Sequence, residues 1–484
     1  MTTPATARPL ENAVFGAAML AHRLPWADAP ARALGLDSLT REGAARGVLA
    51  HLRRSGSGRP VRLRTPFGTF LVPLGPADTA ALLAEGAAAD ALAPAVRLDA
   101  AGRRHGLHPH VPLPPDAVPS AAAFAGPLAE ELERTAAARR DDHALPWEAW
   151  RPGLLRAARR VVAGAAAADD TLLSEVLART AHAAGGRGYD GRAAALGRRT
   201  APYLADPDPG SVAAGLVRGP AAVPAARTGD APAAGEGRPG EALAHTLAVV
   251  SEAAVTTALQ ALALTAAGVP RAAAGPAGAV ALALDHFPPV EAAVHPVRTP
   301  FTWEGLAVGA GTEILAAPGW LREDGDASGS GDTGDGLDVP WHERPSPLCG
   351  SATGCTASAF AVRVAEETVR FFTATARPAL LSPAISPDRM PLTLAPHTLR
   401  VAFPAAGAVP PAVPAAGPAS YAVLARADAD RLDRHARSLA DCAAAPGWNG
   451  DESGERFRMR LLEHAERCTR AASDVREAAR RLGD

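Results

Sequence analysis

The chain has no lysine, so all 49 of its basic residues are arginine. Against 51 acidic residues they leave a formal net charge of -2, which excludes a polyanion-binding footprint and with it a nucleic-acid partner. Cysteine is scarce too: four in 484 residues are too few for a disulfide framework and point to a reducing, cytoplasmic setting. Long apolar runs are also missing. AVFGAAMLAH, which follows Arg8 and Glu11, is apolar for only about nine residues, and no stretch approaches the ~18 of a membrane span, so no membrane partner is expected. A short cleaved leader is the alternative for that stretch. What abounds is Ala, Gly and Pro, the composition that a GC-rich coding sequence imposes at neutral positions, and alanine runs imitate helical periodicity.

Three stretches lack a periodic apolar face: 217–240, 322–340 and the Ala/Pro-rich 404–420. Their composition predicts flexibility, with the first two as insertions in a body spanning 1–403 and the third as a linker to a tail at 421–484. Within the body, PVRLRTPFGTFLVPL (Pro60 to Leu74) alternates around a Pro-Phe-Gly turn and predicts a β-hairpin. Helical patterns follow from Ala77 to about Thr200, with Asp78 as a helix N-cap. Leu243, Leu247, Val250, Ala254, Thr257, Ala261 and Leu264 then recur at steps of four and three, predicting a long helix with one buried stripe. A second hairpin is expected in Arg298 to Ala316. The fold class is mainly α with small β-sheets.

Two cysteines stand six apart in SPLCGSATGCTASAF (Ser346 to Phe360), a glycine-rich loop running into a helical pattern. At a helix N-terminus the dipole and free amides lower the pKa of a thiol, which would hold Cys355 as a thiolate ligand. The alternative is a small buried residue packing where loop meets helix.

The order of long helix SEAAVTTALQALAL, short helix ending in DHFPPVE, hairpin WEGLAVGAGTEIL and cysteine loop resembles the C-terminal half of the cytochromes P-450, and weaker likeness extends over residues 30 to 403. The resemblance implies a cytochrome P-450-like fold and haem b ligated through Cys355, with Leu348 at the usual aromatic place and Gly350 and Gly354 in the loop. Thiolate donation pushes electron density onto iron and favours O–O cleavage. Cys349 matches no ligand position. On the long helix the resemblance assigns Glu252 and Thr256 to proton relay and puts Val255 beside the iron, narrowing the distal site. For Glu252 a solvated helical charge, and for Thr256 a packing role, are the alternatives. Propionate partners would be His295 with Arg298 and one of His108 and His110; for each histidine an ordinary surface role is the alternative. The departures are large. Leu282 and Asp285 occupy the places of the Glu-x-x-Arg pair, 322–340 replaces the meander, and Ser351 and Ala357 replace glycines.

In the tail, Ala425, Ala429, Leu432, Ala436 and Leu439, then Leu461, Ala465, Cys468, Ala472, Val475, Ala479 and Leu482, predict two helices meeting at GWNGDESGERF. The tail resembles Trp-x-Gly helical hairpins through Trp448, Gly450 and Phe457, and an unspecific docking or self-associating hairpin is the plainer reading. Three functions follow. One is a haem-thiolate monooxygenase that oxidises a small apolar metabolite with electrons from a separate ferredoxin-type donor. Another keeps the fold as an isomerase, dehydratase or cyclase. The third is a haem-free protein that activates a partner.

Overall fold

The computed structural model describes residues 3–21, 39–55, 59–98, 103–139, 143–184, 186–218, 239–320, 345–386, 390–404, 418–445 and 452–483. The stretches expected to be flexible lie largely outside these residues, as does the Trp448-to-Gly450 turn. The chain forms two compact units, Met1–Pro411 and Ala412–Asp484.

The first unit is mainly α-helical around a seven-stranded sheet ordered β1-β2-β3-β9-β6-β4-β5. The strands are β1 (Ala5–Thr6), β2 (Val61–Thr65), β3 (Gly68–Val72), β4 (Val96–Leu98), β5 (Arg104–Gly106), β6 (Ala293–Pro296) and β9 (Glu313–Ala316). The expected first hairpin is β2–β3, antiparallel with Leu63 opposite Phe70, and its alternation buries Leu63, Phe70 and Val72. The second expected hairpin divides. β7 (Phe301–Trp303) and β8 (Leu306–Val308) pair around Glu304 and Gly305, both at positive φ (46° and 77°), while β9 leaves them to join β3 and β6. A further pair is formed by β10 (Ala379–Ser382) and β11 (Arg400–Ala402).

The helices used below are α1 (Pro76–Ala88), α2 (Ala121–Ala136), α3 (Trp147–Ala163), α4 (Thr171–Ala183), α5 (Pro239–Glu252), α6 (Ala258–Ala266), α7 (Pro276–His286) and α8 (Thr356–Thr375). α1 starts at Gly75 and Pro76, so Asp78 lies in the first turn and is not the cap. Proline at N1 needs no N–H partner, which moves the start upstream.

α5 and α6 form one continuous helix, Pro239–Ala266, joined by a π-helical segment at Ala253–Thr257. The stripe expected from its leucines widens to nearly the whole circumference, because α3, α7 and α8 pack around it; Ala242, Leu243, Ala244, His245, Thr246 and Leu247 are all buried. This corrects the expectation about apolar runs. By length and composition the helix could cross a membrane, yet 78% of its most apolar window is buried inside the protein, as in a core helix. The Trp150 indole on α3 donates to the Val255 carbonyl at 2.8 Å within the π segment, where the regular ladder is interrupted.

The second unit contains α9 (Pro418–Ala444) and α10 (Glu452–Gly483), packed along each other. Ala422, Ala429, Ala436 and Ala443 on one helix and Ala465, Ala472 and Ala479 on the other are buried, a seven-residue repeat of small side chains that lets the backbones approach closely. Arg476 bridges to Asp430 and Asp433 across this seam. Phe457 and Met459 are exposed.

Candidate functional site

The cysteine loop is folded back on itself by its own backbone. The Gly350 N–H donates to the Ser346 carbonyl at 2.8 Å and the Ser346 N–H to the Ser351 carbonyl at 3.2 Å. Gly350 turns at φ +65°, a conformation that favours glycine, and a Cβ there would stand 2.9 Å from the Leu107 Cδ1 methyl. Ser346 Oγ and Ser358 Oγ are 2.6 Å apart, tying the loop to the first turn of α8. Ser351, one of the residues at an expected glycine place, donates its hydroxyl to the Thr353 carbonyl at 2.7 Å. Leu348 is buried in the core and Gly354 is exposed.

Cys355 is the N-cap of α8, its Sγ accepting the Ser358 N–H at 3.4 Å. Because the loop folds back, Cys349 comes to the same place, with its Sγ 3.7 Å from Ser358 Oγ. From the long helix, His245 points its Nε2 at Cys355 Sγ, 3.4 Å away. The His110 ring stands edge-on to that of His245, centroids 5.0 Å apart. One ligand atom from each of His110, His245, Cys349 and Cys355 falls within 4.8 Å of every other, and all but His110 are buried.

The two sulfurs titrate as a pair. The hydrogen bond from Cys355 lowers the Cys349 thiol, overcoming burial, with help from His110 and His245. The same hydrogen bond, together with burial and the charge of Cys349, raises Cys355. The cap amide reaches Cys355, and the two thiols are linked through the hydrogen bond between them. His108 lies beside the cluster, its ring 6.2 Å from that of His245, and burial followed by repulsion from His245 lowers its pKa to about 4.

The remaining residues singled out in the sequence are dispersed. Glu252 is exposed, and Val255 and Thr256 lie on the π segment; Val255 is ten residues past His245, about 15 Å of helix axis at 1.5 Å per residue. None of the three joins the cluster. His295 on β6 is 2% exposed, and burial lowers its pKa to about 4, so it is a neutral imidazole and supplies no cation. Arg298 is exposed and pairs with Asp90 at 3.2 Å. Leu282 is buried, and Asp285 pairs with Arg271 at 3.0 Å. The sequence reading missed His245 and Cys349. A histidine inside ALAHTLAVV, on the most apolar helix of the chain, was the available signal for the first.

A haem on Cys355 would have to share the surroundings of that sulfur with His245. With a metal–sulfur bond of about 2.3 Å, a nitrogen on the opposite side of the same ion would stand about 4.3 Å from the sulfur, and a non-bonded atom farther still. His245 Nε2 is 3.4 Å away, closer than either.

No family model and no curated protein matches the chain. Solved structures that resemble it are cytochromes P-450. One from Chondromyces apiculatus is 17% identical with a TM-score of 0.47, over 75% of this chain and 96% of its own. One from Novosphingobium aromaticivorans is 12% identical with a TM-score of 0.47, over 83% and 100%. Another, involved in the biosynthesis of vancomycin-type antibiotics, is 15% identical with a TM-score of 0.44, over 74% and 96%.

Proposed function

We propose that this chain is a divergent protein of cytochrome P-450-like architecture that works without haem, as a partner-binding protein and not as an oxygenase. The observation that carries this is the 3.4 Å contact between His245 Nε2 and Cys355 Sγ, which closes the space between long helix and cysteine loop. The α9–α10 hairpin supplies the docking element, with Phe457 and Met459 exposed 48% and 54%. The test is the absorption spectrum of full-length protein incubated with haem, reduced and exposed to carbon monoxide. No thiolate-type Soret band is expected; a band that Cys355→Ser abolishes would overturn the reading.

A second reading is a haem-thiolate monooxygenase acting on a small apolar metabolite with a ferredoxin-type donor, or an isomerase, dehydratase or cyclase on the same fold. It is favoured by one feature: Cys355 caps α8 and accepts the Ser358 amide, as a ligating thiolate would. In that reading the long helix must move away from the loop, and Cys355 would hold the iron. The same spectrum decides between the two.

A further inference from the structure

The donors gathered around Cys355 are themselves a ligand set. We propose that His110, His245, Cys349 and Cys355 form a tetrahedral site for zinc, a structural metal centre at the place where the cysteine loop meets the long helix. The site rests on the haem-free reading, since both groups would need Cys355.

Geometry comes first. Bond lengths of about 2.3 Å to sulfur and 2.0 Å to nitrogen give a tetrahedral ion nitrogen-to-sulfur edges of about 3.5 Å and a sulfur-to-sulfur edge of about 3.8 Å. The His245–Cys355 separation of 3.4 Å is already such an edge, and no donor atom is farther than 4.8 Å from another. Closing the longest of these distances takes side-chain adjustments of about 1 Å, with no movement of an element.

Chemistry follows from the donor types. Two thiolates and two imidazoles suit zinc; calcium and magnesium prefer oxygen, which the set lacks. Two thiolates also cancel the charge of a divalent ion, so the complex is neutral in a buried setting, and binding releases the thiol protons. Both sulfurs have an outer partner in one residue: the Ser358 amide donates to Cys355 and its Oγ lies 3.7 Å from Cys349. All four positions are filled by protein, so no place is left for a reactive water, and the role is structural. The exposed edge at His110 gives the ion its entry path.

The test uses full-length protein stripped with chelator and titrated with zinc chloride. One zinc per chain is expected, with an X-ray absorption shell of two sulfurs and two nitrogens. Cobalt(II) in its place should give a thiolate-to-cobalt charge-transfer band. His110→Ala changes only an exposed residue, so it should fold and weaken zinc binding at least about 10-fold. Cys349→Ser and Cys355→Ser should each weaken the band to about half or less, since one thiolate remains, while Cys442→Ser with Cys468→Ser, remote in sequence and outside the cluster, should leave it unchanged. Haem-free wild-type protein that takes up no stoichiometric zinc, or zinc uptake unchanged by Cys349→Ser, overturns this site and leaves the haem-free reading standing. A haem-thiolate spectrum overturns both.

Discussion

Two of the buried polar clusters in the first unit are satisfied in opposite ways. In one, Glu131 on α2 is 1% exposed and accepts from Arg134 at 2.5 Å, Arg156 at 2.7 Å and Arg160 at 2.9 Å, joining α2 to α3. Its carboxylate has more donors than it needs. In the other, His245 Nδ1 and His108 Nε2 are buried without a hydrogen-bond partner among the described residues, and two thiols share what the imidazoles offer. A cluster that closes on itself is complete as a structural element. One that leaves ring nitrogens unpaired in a core is costly unless something else engages them.

The largest effect that would sharpen this contrast is expected at Glu131. Glu131→Gln removes the charge that three arginines share and should cost about 3 kcal/mol in urea denaturation, since unpairing a buried charge is strongly destabilising. Burial alone would raise the pKa of this carboxyl, but hydrogen bonds from Arg160, Arg134 and Arg156 outweigh it and hold it below the ordinary glutamate value of 4.5. The folded pKa is thus depressed, so the stabilisation is full above 4.5 and is lost as pH falls through the lower folded value. The wild-type protein should lose stability over that acid window and Glu131→Gln should lose less; equal acid slopes would show that the cluster is not the closed unit described.

A smaller loss is expected from Gly350→Ala, about 2 kcal/mol, from a left-handed φ on a side-chain-bearing residue and the contact with Leu107. Thermal unfolding that barely moves would break the comparison, because the loop would then not hold Cys349 in place. The smallest effect is assigned to Ser358→Ala, about 1 kcal/mol, for the hydroxyl between Ser346 and Cys349. Its amide to Cys355 survives, so any effect well above that would mean the two sulfurs depend on the hydroxyl more than on the backbone.

Local features were legible in the sequence. The PVRLRTPFGTFLVPL hairpin, the long helix and the paired alanine heptads follow from periodicity and turn residues alone, and the cysteine at the start of α8 follows from its loop. Convergence at a distance was not. Nothing near Glu131 announces Arg156 and Arg160, 25 and 29 residues on, and nothing near Cys355 announces a histidine 110 residues earlier. The P-450 resemblance fixed attention on SEAAVTT, two to three turns beyond His245, and on one cysteine of two. The Trp-x-Gly turn lies outside the described residues.

The spacing of the two clusters along the chain has a consequence for synthesis. Every partner of Glu131 has left the ribosome once Arg160 has, so that cluster can close early and locally. The histidines of the other emerge long before their sulfurs, and no full set of four donors exists until Cys355 is made. A nascent chain therefore carries His110 and His245 together for about a hundred residues with no cysteine to share an ion, and whatever occupies all four donors must arrive after the long helix has been synthesised.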